Sequence, residues 1–146
     1  MRRGFTLLEV VMVLMIVGLL ASLALPGAAA LADRLAVEHE VMRIVVAYRS
    51  AWSAARAQHR LALLRITADS LAIRTVGGSG AADTVLAWLA PGPANAGVVL
   101  RSSAHSILFG PDGVAMGAAN ARHVLERGGV RREVVVSRLG RVRVQP

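Results

Sequence analysis

The chain has no cysteine and no lysine, and only 3% of its 146 residues are aromatic. Without cysteine there is no disulfide framework, no thiolate metal site and no thiol nucleophile, so any domain must hold by packing alone. That absence leaves the compartment undecided. Without lysine, the 17 basic side chains are all arginine, set against 9 acidic ones, for a formal charge of +8 and a pI near 11.7. A GC-rich genome would account for arginine over lysine but not for the net excess. A surface this cationic favours anionic partners such as nucleic acid or lipid headgroups. Histidines 39, 59, 105 and 123 lack ligand spacing, no serine sits in a GxSxG turn, and no paired carboxylates stand out. The sequence therefore suggests no metal, no cofactor and no enzyme. Asp112, in Gly-Pro-Asp-Gly, reads as a turn residue rather than an acid.

What the chain does have is a long apolar run at its start. Phe5 to Leu25 is 21 residues in which Glu9 is the only ionisable side chain. As a helix it is ~30 Å long, enough to cross the hydrocarbon core of a bilayer. Arg2 and Arg3 just before it predict a cytoplasmic N-terminus, with the rest of the chain outside. A cleaved secretory signal is the competitor, since the small residues Ala28, Ala29 and Ala30 also fit that pattern. Two features count against it. The run is longer than a typical signal core, and it contains Glu9, whose insertion costs ~2.5–3.5 kcal/mol and so asks for a partner or a function.

With that helix set aside, roughly 115 residues remain, enough for one small domain. After Pro26-Gly27, Asp33 is placed to cap a second helical stretch, although proline can also kink or loosen a helix without ending it. Val41, Val45, Tyr48, Trp52 and Ala55 draw an apolar stripe on a helix reaching about His59, with Arg43, Arg49, Ser50, Arg56 and Gln58 opposite. The remainder reads as strands. Leu61 to Ile66 and Leu71 to Val76 suggest a hairpin, and Gly77 to Asp83 a flexible loop. Val85 to Leu89, Val98 to Arg101 and Ser106 to Phe109 are further β-like runs, the last followed by the turn Gly110-Pro111-Asp112-Gly113. Arg131 to Arg138 and Arg141 to Val144 surround Leu139-Gly140 as a terminal hairpin. The fold class expected is α+β: a long N-terminal helix, transmembrane and then amphipathic, packed on a small antiparallel β-rich head.

The leader carries a family resemblance. Gly4-Phe5-Thr6-Leu7-Leu8-Glu9, followed by the apolar helix and Pro26, resembles the class III signal of type IV pilins and type II secretion pseudopilins. The head adds to it. Trp88, Gly92-Pro93-Ala94, Gly97-Val98, Ile107 to Gly113, Val134 to Ser137 and Gly140 to Arg143 are similar to the GspH/FimT family of minor pilins and pseudopilins. The resemblance implies a leader of residues 1–4, cut by a prepilin peptidase between Gly4 and Phe5, with Phe5 then N-methylated. It further implies a transmembrane helix over 5–25, a periplasmic helical part over 26–60 and a pilin-like head over 61–146. Glu9 becomes an assembly residue: its carboxylate can pair with the freed Phe5 amine of a neighbouring subunit, which in low dielectric rewards correct register. The implied partners are other pilin or pseudopilin subunits, the prepilin peptidase and an inner-membrane assembly platform. The implied location is the bacterial inner membrane, single-pass with the head periplasmic, and then a periplasmic or surface filament. The function expected is to help initiate or cap such a filament for protein secretion.

An alternative rests on the C-terminal end. Arginines 122, 127, 131, 132, 138, 141 and 143 face only Glu126 and Glu133 in that stretch. On a strand, Arg141 and Arg143 would share one face about 7 Å apart, a spacing suited to successive phosphates. Gly140-Arg141-Val142-Arg143 also matches a motif of FimT-like pilins that act in DNA uptake, which points to Arg138, Arg141 and Arg143 as a DNA-binding tail in natural transformation. A basic edge strand is equally a way to keep a β edge soluble and unpaired, and the few aromatics look like core or anchor.

Overall fold

Thr6 starts the first element. Its backbone is extended (φ −80°, ψ 151°), and its hydroxyl accepts from the Glu9 N–H at 3.3 Å. Threonine with glutamate three residues on is the capping-box pairing, and it places the Glu9 carboxylate at the positive end of the helix dipole. The computed structural model describes residues 6–76, 84–116, 120–137 and 139–146. In it, α1 runs unbroken over Leu7–Gln58, 52 residues or about 80 Å. Pro26 lies inside it. Asp33 is therefore not a cap, as expected from the sequence, but a mid-helix residue. A single proline forfeits one backbone hydrogen bond, and the alanine- and leucine-rich turns on both sides restore helical propensity.

The two halves of α1 meet different surroundings. From Leu7 to Leu20 every large apolar side chain is exposed, whereas Val37, Val41, Ile44, Ala47, Tyr48, Ala51 and Ala55 are buried. The buried stripe follows spacings of four and three, and Ala51 occupies the place expected for Trp52, which stays 40% exposed at its border. His59 ends the helix in the left-handed region (φ 50°, ψ 39°), its N–H donating back to Ala55 and Arg56 carbonyls.

Among the described residues nine strands follow: β1 Leu61–Ile66, β2 Ser70–Val76, β3 Thr84–Pro91, β4 Val99–Ser102, β5 Ser106–Phe109, β6 Ala115–Met116, β7 Asn120–Arg127, β8 Val130–Ser137 and β9 Val142–Gln145. A short 3₁₀ helix, Pro93–Ala96, precedes β4. All pairings are antiparallel, in a five-stranded sheet ordered β3-β2-β1-β5-β6 and a four-stranded sheet ordered β4-β7-β8-β9. The helix lies against the central strands of both sheets, and the core of Ile44, Leu64, Ile73, Phe109, Leu125 and Val134 fills the space between. The hairpin at Thr67–Ser70 and the Gly110–Gly113 turn form where the sequence places them. Thr67 N–H donates to the Ser70 carbonyl at 2.9 Å, and Gly113 N–H to Gly110 at 2.8 Å. The Asp112 carboxylate closes the turn by accepting from Val114 N–H at 3.0 Å. The loop expected over Gly77 to Asp83 lies outside the described residues.

Strand β7 was not expected. Its inward positions are Ala121, His123 and Leu125, so the apolar alternation is interrupted by a histidine and flanked by arginines. It joins β8 through Gly128-Gly129, both at positive φ (53° and 82°), the geometry of a tight two-residue hairpin turn. At Gly128 a Cβ would overlap the Asp33 carboxylate, so glycine is required there twice over.

Candidate functional site

Among the described residues, two ion pairs and a hydrogen bond from a third, intrahelical pair fix the helix to the head. Arg127 Nε donates to Asp33 at 2.8 Å while its other nitrogen reaches the Ala96 carbonyl, and Arg132 Nε donates to Glu38 at 2.8 Å. Glu40 is fully buried, holds Arg43 through both carboxylate oxygens at 2.8 and 3.0 Å, and Arg43 in turn reaches the Pro91 carbonyl at the end of β3. Burying a charge is costly unless it is paired and hydrogen-bonded. These contacts tie one stretch of α1, from Asp33 to Arg43, to both sheets.

Behind them lies a neutral polar network that sequence spacing does not reveal. Tyr48, His123 and Ser102 are joined by contacts of 2.6 Å (hydroxyl to Nε2) and 2.8 Å (Oγ to Nδ1). The Ser102 hydroxyl donates to the Ala104 carbonyl at 2.7 Å, so its oxygen can only accept from His123. Nδ1 therefore carries the proton, and Tyr48 donates to Nε2. Burial, with a contribution from nearby His105, lowers the His123 pKa to about 4. Burial also holds the Tyr48 proton well above the usual phenol range. His123 is a packed core group, and among the described residues no three His, Asp or Glu side chains gather to hold a metal.

The basic end of the head is organised by the register of the four-stranded sheet. Its outer face carries Arg101, Arg122, Arg131 and Arg143 with Glu126 and Glu133. Glu126 stands 3.9 Å from Arg101 and 3.6 Å from Arg131. Glu133 stands 2.8 Å from Arg122, but no N–H is aimed at that oxygen, so the pair is charge-compensated without being hydrogen-bonded. The two glutamates thus partly offset the three arginines of β4, β7 and β8. At the edge the position is different. Arg141 and Arg143 are exposed, and among the described residues no carboxylate lies within ion-pair reach of either. They line a common cleft of about 400 Å³ with Val135, Ser137, Leu139 and Gln145. Arg143 belongs to β9, whereas Arg141 precedes it, its N–H donating to Ser137 Oγ at 3.2 Å across the turn. The two arginines thus line one cleft, although the strand begins one residue later than the sequence suggests. Arg138, Gly4 and Phe5 lie outside the described residues.

Against known proteins, two findings converge. Residues 1–25 match the prokaryotic N-terminal methylation motif. The fold, one long apolar helix packed on antiparallel sheets, is pilin-like. Two crystal structures of the type IV minor pilin FimU from Pseudomonas aeruginosa (strain PAO1) share it. One aligns with a TM-score of 0.64 at 15% identity, covering 78% of this chain and 91% of that one. The other has a TM-score of 0.60 at 16% identity over 75% and 92%. No curated protein matches the chain in sequence. The chain accordingly combines a pilin-like fold with a prokaryotic N-terminal methylation motif.

Proposed function

We propose that the chain is a minor, GspH/FimT-type subunit of a pilus-like filament, and that it helps to initiate or cap the filament for protein secretion. The observation that carries this reading is the division of α1. An apolar half that the chain's own head leaves bare continues without a break into a half buried in the head, behind a methylation motif. Side chains such as Leu8, Met12 and Met15 need an apolar environment supplied from outside, first lipid and then neighbouring helices. In this reading a prepilin peptidase cuts between Gly4 and Phe5 and Phe5 is methylated. The N-terminus faces the cytoplasm and the head the periplasm, where an inner-membrane platform hands the subunit to the filament. Glu9 then serves twice, its N–H within the capping box and its carboxylate against the Phe5 amine of a neighbour.

Two measurements test it. Intact-mass analysis of the chain recovered from its native membrane should give a mature form starting at methylated Phe5; a start near Ala28 or Leu31 would make the helix a discarded signal. Glu9→Ala should leave the head's melting temperature unchanged while abolishing co-purification with the other minor subunits of the same gene cluster. Undiminished co-purification removes the register role.

A second reading, that the head binds DNA in natural transformation, is favoured by one observation: the uncompensated pair Arg141 and Arg143 on the β9 edge. Such contacts are to phosphate, so binding should be tolerant of sequence and weaken steeply with salt. Replacing both with glutamine should abolish a gel shift seen at low salt, and no shift by the unaltered chain refutes the reading.

A further inference from the structure

Arg141 lines a second cleft as well as the one it shares with Arg143. This one has a volume of about 270 Å³, and its walls are Tyr48, Arg49 and Trp52 from α1, Phe109 from β5, and Leu139 to Val142. Three properties of it bear on what it could hold. Arg49 and Arg141 place two exposed guanidiniums at its walls, and no carboxylate lines it. Trp52, the aromatic that sequence periodicity assigns to the core, is instead 40% exposed here. The indole is also held in place. Arg56 sits over one face with its guanidinium carbon 4.8 Å from the ring centroid, and a Cβ at Gly113 would come within 2.5 Å of Trp52 Nε1. Arg56 does not line the cleft, so the part of the ring turned to the cleft is not the face it covers.

We infer that this cleft takes one unstacked base of a single-stranded nucleic acid, against Trp52, while the adjoining phosphates lie on Arg141, Arg143 and Arg49. The inference rests on the DNA-binding reading and narrows it to single strands. Size supports one ring and little more, since the volume falls just below the ~300–1,000 Å³ typical of small-molecule pockets. The chemistry matches the way single strands are held without sequence preference: a cationic track for the backbone and an aromatic platform on which any base can stack. A duplex keeps its bases in the helical stack and would have to extrude one to reach Trp52. Continuity supplies the track, because Arg141 borders both clefts and connects the β9 edge to the helix.

The test uses the full chain in neutral detergent micelles. Its probes are a thymidine oligonucleotide of about a dozen residues, a duplex of the same length, heparin as a polyanion without bases, and polyglutamate. Trp52→Ala should weaken the oligonucleotide by about tenfold and leave duplex and heparin affinities unchanged, and Trp52→Phe should restore most of the loss. In a Trp88→Phe background the remaining indole fluorescence, that of Trp52, should be quenched in step with oligonucleotide binding. The inference falls, with the DNA-binding reading intact, if Trp52→Ala leaves the oligonucleotide affinity unchanged while the Arg141→Gln/Arg143→Gln variant loses it. It falls equally if Trp52→Ala weakens all polyanions alike, or if polyglutamate displaces the oligonucleotide and quenches Trp52 in its place. Absence of binding to either nucleic acid by the unaltered chain overturns both the inference and the reading beneath it.

Discussion

His123 shows how a side chain with no local signature can decide the stability of a head. Its partners are 75 and 21 residues away in sequence, and nothing about its spacing to other histidines announces them. In the unfolded chain it takes up a proton near pH 6.5, in the folded chain only near pH 4. Between those values the unfolded state binds more protons, so stability falls as pH falls. The contribution is fully present above pH 6.5 and lost by pH 4, and amounts to about 3 kcal/mol. Urea midpoints measured across that window should slope steeply for the natural chain, and His123→Gln should flatten the slope. Tyr48→Phe removes the donor to Nε2 and should cost about 1–3 kcal/mol at neutral pH, read as a lower melting temperature. Trp52 was misplaced for the opposite reason. A stripe of spacings four and three can be drawn through 45, 48, 52 and 55 or through 44, 48, 51 and 55, and only packing against the sheets selects the second.

At the scale of elements, strands with apolar alternation were legible. Leu61–Ile66 and Ser106–Phe109 fall where the sequence places them, and β2, β3, β4, β8 and β9 within one or two residues. Strand β7 was hidden because its inward face spends one position on His123 and its outward face is charged. Gly128-Gly129 between Arg127 and Val130 was the signal available, as a two-glycine hairpin turn. The same turn gives a sharp prediction. Gly128→Ala combines a positive φ with overlap on Asp33 and should destabilise by about 2 kcal/mol or more. Gly129→Asn has open space and a conformation asparagine tolerates, and should be close to neutral. Equal losses at the two sites in thermal melts would mean that the Asp33 contact is not what restricts the turn.

For the whole molecule, the sequence made plain an α+β chain with an apolar N-terminal helix. It left open whether Pro26 divides that helix, because propensity on either side outweighs one missing hydrogen bond only once the second half is anchored on a sheet. The continuous helix separates two energetic regions. Residues before Gly27 add little to the stability of the head, so a chain beginning there should be soluble and melt within a few degrees of the full chain in detergent. A large drop would show that the bare half of α1 supports the head after all.

The bare half has one more consequence. Among the described residues nothing shelters Leu7 to Leu20 from water, so exposing this half of α1 to an aqueous compartment would be costly. On the proposed reading, movement out of the bilayer would be a direct exchange of one oily neighbour for another, lipid for protein, with almost no net gain or loss in hydrophobic free energy. Such a step is reversible by nature. Its direction has to come from elsewhere, from work done by a motor or from contacts made only on arrival, and a subunit pulled halfway would slide back into the membrane rather than unfold.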